Sequence, residues 1–284
     1  MNFTETAFTF SGDQQNLLIG IIHNPEQYTG KVGLLIVVGG PQYRIGAHRQ
    51  YVHMARHCAA RGIPVMRFDY QGIGDSDGSP AGFEHVTPDI DHAIDEFLKR
   101  TSGITSVAIW GLCEGASALL LGAARHKAVS HIILANPWVR STSGLARATI
   151  KHYYLDRLKN PAFWRKIFSG HLNIKSALSG FLSNIRQAFA PGKALAEKDV
   201  RPFPERMLSG LAAFQGKTLL IMSEQDLVAR EFDDLISSDK AWQKTIREKI
   251  SQRIDIAETD HTFSSESWRV KVATSTADWL ISGQ

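Results

Sequence analysis

Cys113 stands in the run Trp110, Gly111, Leu112, Cys113, Glu114, Gly115, so that a glycine lies two residues away on either side. Residues 106–110 are short, apolar and β-branched at Val107 and Ile109, while 114–125 are dominated by Ala and Leu, which favour helix. The cysteine is therefore expected at the tip of a strand-to-helix corner. Such a corner needs small flanking residues, because its backbone is strained and the helix packs close to the strand. A thiol there sits at a helix N-terminus, where the dipole favours its anionic form. Attack of the sulfur on an ester or thioester carbonyl would give an acyl-cysteine intermediate. The bland alternative, a cysteine used as a small buried hydrophobe, is assigned to Cys58, which lies in a helix-like stretch with no such corner.

A nucleophile of this kind needs a base, and the base an orienting acid. Strand-like residues 217–222 run into Ser223, Glu224, Gln225, Asp226 and Leu227, and residues 253–257 into Glu258, Thr259, Asp260, His261, Thr262 and Phe263. Cys113, Asp226 and His261 follow one another in the nucleophile, acid, histidine order of such sites. Among eleven histidines, only His261 falls in a loop between a late strand and the final helix. Asp226 competes with Glu224 and with the position after the sixth strand, which is Asn136 and cannot serve as an acid. Ser76 is a decoy: Gly74 to Gly78 matches G-x-S-x-G, yet neither a strand precedes it nor a helix follows.

The tetrahedral oxyanion requires two backbone N–H donors. The expected donors are Glu114, after the nucleophile, and Gly40, with Gln42 in reserve because Pro41 has no N–H. Arg44 is a candidate for binding a substrate carboxylate or phosphate, with an exposed structural arginine as the alternative. Trp138 and Phe168 are the candidate apolar contacts to substrate. The orientation of the Glu114 carboxylate is left open.

These residues must be carried by a regular scaffold. Segments 4–10 and 16–22 read as a β-hairpin, and 31–38 as a buried central strand ending in Gly39, Gly40 and Pro41. Helix 49–61 then leads to strand 64–69, helix 88–100 to strand 105–110, and helix 114–126 to strand 131–135. Alternation of this kind implies a mostly parallel sheet flanked by helices. The rhythm stops after Asn136, Pro137 and Trp138. In the following stretch Ile174, Leu178, Phe181, Leu182, Ile185 and Phe189 recur at helical spacing. It resumes with strand 217–222, a helical region 229–246, strand 253–257 and helix 267–281. The expected organisation is a core of residues 1–137 and 206–284 with a helical lid at 138–205.

Across these motifs the chain resembles the α/β-hydrolase superfamily over nearly its full length. Within it the chain is similar to the hydrolase 1 group associated with exosortase A systems, through residues 39–44, reading G-G-P-Q-Y-R, and 111–113, reading G-L-C. The resemblance implies the α/β-hydrolase fold, a Cys-His-Asp triad and a setting of exopolysaccharide synthesis. Acyl transfer to a sugar or alcohol therefore stands beside hydrolysis, and a non-catalytic binding protein on a hydrolase frame is the third reading.

The chain has 284 residues, a net charge of +4 and two cysteines, which excludes a disulfide framework and a C-x-x-C metal motif. No cofactor or metal is expected. The first residues lack a basic region followed by an apolar core, and no apolar run is long enough to span a membrane, so a cytoplasmic protein is expected. Residues 140–205 carry twelve Lys or Arg against four acids. A solvated basic face, or contact with an anionic or carrier-bound acyl substrate, accounts for that excess. Nucleic acid is excluded by the lack of a recognition motif.

Overall fold

The computed structural model describes residues 2–12, 15–40, 42–80, 82–139 and 201–283. Eight strands form one sheet: β1 (Phe3–Ser11), β2 (Leu17–Pro25), β3 (Val32–Val37), β4 (Val65–Asp69), β5 (Ser106–Leu112), β6 (Val129–Ala135), β7 (Lys217–Ser223) and β8 (Gln252–Ile256). Their spatial order is β1-β2-β4-β3-β5-β6-β7-β8. β1 pairs antiparallel with β2, and β2 antiparallel with β4, while every later pairing is parallel. This is the α/β-hydrolase fold, as the sequence implied.

The burial of the strands follows their place in the sheet. Every residue of β3 and β4 is buried, because helices cover both faces of a parallel sheet and leave no polar side. The edge strands β1 and β8 are mostly exposed. Among the described residues the helices are α1 (Gln50–Ala60), α2 (Thr87–Arg100), α3 (Glu114–Leu121), α4 (Phe203–Ala213), α5 (Leu227–Ser238), α6 (Lys240–Lys249) and α7 (Glu266–Ser282). α1 packs with α7, and α3 with α2 and α4.

The strand order places the site. From β3 the chain moves to β4 on one side and then returns to β5 on the other. The two connections diverge there and leave a crevice beyond the carboxyl ends of β3 and β5, where ligands of open α/β sheets bind. Gly39 and Gly40 follow β3, and Cys113 follows β5.

Three expected elements differ from those observed. The helix expected over 114–126 ends at Leu121 and gives way, through Gly122, to a 3-10 turn at Ala123–Arg125. The helical region 229–246 is two helices, broken at Asp239, which closes α5 and caps α6 by accepting from the Ala241 and Trp242 amides at 2.7 and 3.1 Å. α4 begins inside the stretch assigned to the lid and crosses its expected boundary at 205. Pro204 in its first turn suits a helix start, and Gly210 lets it approach the Leu120 carbonyl, which a β-carbon would strike. Residues 140–200 of the expected lid, including Phe168 and the segment 174–189, lie outside the described residues. No helix among the described residues is long and apolar enough to cross a membrane.

Candidate active site

Cys113 is held in a conformation that side-chain-bearing residues rarely adopt, with φ 58° and ψ −123°, between the last residue of β5 and the first of α3. That is the strain expected of a nucleophile elbow. Its neighbours explain the glycines. A β-carbon on Gly111 would lie 2.6 Å from the Ala116 amide nitrogen, and one on Gly115 would lie 2.7 Å from the Val37 carbonyl oxygen. One on Gly39 would strike the Leu112 carbonyl. The elbow backbone is anchored on all sides: the Cys113 amide donates to Ala135 O at 3.0 Å, and the Ser117 amide donates to Cys113 O at 3.1 Å. The Ser117 hydroxyl reaches both Cys113 O and Trp138 O, at 3.2 and 2.5 Å. Cys58, by contrast, is fully buried in α1, and burial pushes its thiol up to about 12.

His261 Nδ1 donates to Asp226 Oδ2 at 2.6 Å. Asp226 is only 6% exposed and serves twice, because its carboxylate also caps α5 by accepting from the Val228 and Ala229 amides at 3.0 and 3.2 Å. The helix therefore fixes the carboxylate that faces the imidazole. The loop bearing His261 is stitched to the loop bearing Asp226: the Gln225 amide donates to Thr259 O at 3.0 Å, and the Glu258 amide to Glu224 Oε2 at 2.9 Å. Glu224, the rival acid, is thus engaged in shaping the loop.

Burial opposes charge on the His261 ring. The hydrogen bond to Asp226, with the influence of the neighbouring Asp226 and Cys113, outweighs that and holds the imidazole at about 10. It is a cation at neutral pH, and both partners of the expected triad act on it.

A cavity of about 250 Å³ opens at this point, lined by Gly39, Gly40, Gln42, Leu112, Cys113, Glu114, Trp138 and His261. The three expected oxyanion residues, Gly40, Gln42 and Glu114, thus meet the sulfur and the imidazole in one space. Trp138 joins them, its amide donating to Cys113 O at 3.4 Å. Gly40 has φ +63°, and a β-carbon there would lie 3.8 Å from Glu114 Oε2. The Glu114 side chain is accordingly turned toward the Gly40 wall. Burial, then its charge and that of Asp69, push the Tyr70 phenol well up.

Arg44 is not brought to this cavity. Its guanidinium pairs with buried Asp69 and, at 2.6 Å, with Asp75, and its amide donates to Asp69 Oδ1 at 2.6 Å. Asp69 closes β4 and Asp75 lies in the loop after it, so Arg44 ties that end of the sheet to the loop after β3. Ser76 is likewise engaged, its hydroxyl donating to Asp69 O at 2.6 Å and accepting from the Ile19 amide at 3.0 Å. Asn136 and Ser223 touch the histidine loop, at the His261 and Asp260 carbonyls, although the sequence offers the first only as a residue that cannot be an acid and the second only as a strand end. Their signal in the sequence was slight: a polar residue closing each of two apolar strands. Among the described residues no group of three or more histidine, cysteine or acidic side chains is arranged to hold a metal ion.

A strained cysteine after β5, a histidine loop after β8 and an acid after β7 on this sheet define an α/β hydrolase. The family model described as serine aminopeptidase, S33 (Hydrolase_4), matches residues 38–179, half of the chain, and the chain belongs to that family. The family name carries a serine, whereas the elbow residue here is Cys113. No curated protein matches the chain in sequence. Among solved structures it is similar to an esterase of Pyrococcus furiosus, with a TM-score of 0.65 at 11% identity over 98% of this chain and 90% of that one. A dienelactone hydrolase of Anabaena variabilis gives 0.60 at 16% identity, covering 99% and 98%. The esterase domain of a Rhodothermus marinus protein gives 0.60 at 12% identity, covering 98% of each. At these identities the likeness is one of fold.

Proposed function

We propose that the protein hydrolyses a carboxylic ester or thioester through a Cys113, His261, Asp226 triad and a cysteinyl acyl intermediate. The observation that carries the reading is the meeting of a strained elbow cysteine and an Asp226-bound imidazole at one cavity. An imidazolium facing the sulfur favours the thiolate, so attack needs little further base assistance. The sulfur adds to the substrate carbonyl, and the oxyanion is met by the backbone N–H groups of Glu114 and Gly40, with Gln42 as the nearby reserve. His261 then gives its proton to the departing alkoxide or thiolate, leaving an acyl thioester on Cys113. With the negative sulfur consumed, the now neutral imidazole takes a proton from water as the water attacks the thioester, and the acid and the starting ion pair are regenerated. Asp226 fixes the tautomer and supports the charged ring throughout.

The lysines and arginines of residues 140–205 are read as the groups that meet an anionic or carrier-bound acyl donor. The resemblance of residues 39–44 and 111–113 to exosortase-associated hydrolases supports a second acceptor, a sugar or alcohol in place of water. The test is steady-state turnover of p-nitrophenyl esters and acyl thioesters of graded chain length, with and without alcohol acceptors. Cys113→Ala is expected to lose about 10⁴-fold or more in kcat. Wild-type turnover by that variant would overturn the reading, and acceptor-dependent ester formation with little free acid would select transfer.

A further inference from the structure

The Gln225 and Glu258 amides hold the start of the histidine loop, and a second set of contacts holds its backbone at Asp260 and His261. Asn136, the residue after β6, is fully buried and held at φ 42°, a left-handed conformation that asparagine tolerates better than most residues. Its amide group is fully engaged. Oδ1 accepts from the Ser223 amide at 2.8 Å, and Nδ2 donates to Ser223 Oγ at 2.9 Å and to the His261 carbonyl at 3.1 Å. Ser223, buried at the end of β7, in turn donates from Oγ to the Asp260 carbonyl at 3.0 Å. The Asn136 amide also donates to Ile221 O at 3.0 Å, so the asparagine is itself pinned to β7.

Two adjacent strand ends therefore grip two consecutive carbonyls, those of Asp260 and His261. From the other side, Asp260 closes its own turn by accepting from the Thr262 and Ser264 amides at 3.1 and 3.0 Å. We infer that Asn136 and Ser223 are positioning residues for the reaction, a buried amide–hydroxyl clamp that sets where the His261 ring lies between Cys113 and Asp226. Only an asparagine supplies this pattern. It must accept from one backbone amide and donate to both a hydroxyl and a carbonyl, and an aspartate of the same shape has no donor for the last two. In a buried network one reversed group leaves neighbouring groups unsatisfied. The inference rests on the proposed triad for its catalytic meaning, but its geometry is independent of substrate.

The experiment uses Asn136→Asp and, as the milder change, Ser223→Ala in the full chain. The first readout is the downfield proton resonance of the His261 Nδ1–H that bridges to Asp226, recorded without substrate and assigned by its loss in His261→Ala. The second is the split of kcat from KM on the best p-nitrophenyl ester. The clamp predicts that Asn136→Asp shifts or abolishes the resonance and lowers kcat about 10²-fold, the cost of misplacing a reacting group, with KM changed less than about twofold. Ser223→Ala should move the resonance in the same direction by less. A purely structural role would lower the unfolding temperature while leaving the resonance and kcat at wild-type values, and that result would overturn the inference. Full turnover by Cys113→Ala would instead sink the proposed triad and leave the resonance test standing.

Discussion

At the residue scale the account turns on a proton. His261 carries it to about 10, against an ordinary histidine value of 6.5, because Asp226 and Cys113 together outweigh the burial of the ring. An NMR titration is expected to find this imidazole still protonated at pH 8, and Asp226→Asn or Cys113→Ala to bring its pKa down toward the ordinary value. Deprotonation of the wild-type ring below pH 7 would contradict the geometry. Asp226 allows its two duties to be separated. Asparagine caps a helix about as well as aspartate, so Asp226→Asn keeps the cap while giving up the ion pair with His261, and should lose about 10⁴-fold in kcat through the wrong histidine tautomer. Asp226→Ala forfeits the cap as well and should cost about 1 kcal/mol more in chemical denaturation. If both variants were equally unstable, the cap would not be what the carboxylate supplies.

At the element scale the corner between β5 and α3 depends on backbone contact rather than side-chain packing. Gly115→Ala would place a methyl 2.7 Å from the Val37 carbonyl and is expected to destabilise the fold by about 1–3 kcal/mol, read by urea unfolding. A stable Gly115→Ala would mean that β3 and α3 are not this close. The same corner was legible in the sequence, because Gly111, Cys113 and Gly115 must be spaced this way for a strand to turn into a helix over a nucleophile. The alternation of apolar strands with helices was legible for a similar reason, since burial on both faces leaves no polar positions in β3 or β4. Other boundaries were not. Asp239 reads as one more polar residue in a helical pattern, and only its capping of α6 reveals the break. Arg44 read as an anion binder because its partners, Asp69 and Asp75, are distant in sequence and become neighbours only when the loops after β3 and β4 meet. Asn136 was legible as a residue that cannot be an acid, but the bond to the His261 carbonyl spans 125 positions and leaves no local trace.

At the scale of the whole molecule, buried histidines set how stability varies with pH. Burial, then the neighbouring charge of Arg67 for His23 and of Lys217 for His131, lowers both to about 4. The folded chain therefore refuses protons that the unfolded chain takes up below about 6.5, and stability falls as pH drops through that range toward 4. His261 has the opposite sign. Its contribution is complete below about 6.5, because the folded chain retains a proton that the unfolded chain releases above it, and is lost as pH rises to about 10. Thermal unfolding across pH 4–10 should therefore peak near neutrality, and His261→Gln should flatten only the alkaline side. A variant that lost only the acid side would reverse the assignment. The fold also joins what the chain separates: the sheet's change of direction at β3 and β5 opens the crevice, and the loops after β7 and β8 bring carboxylate and imidazole to it. The most direct measurement is peptide mass spectrometry of the protein quenched by acid during turnover of an acyl thioester. The account predicts the mass of the acyl group on the peptide containing Cys113, absent from Cys113→Ala; turnover with the Cys113 peptide unmodified throughout, or with the acyl group on a serine peptide, would contradict it.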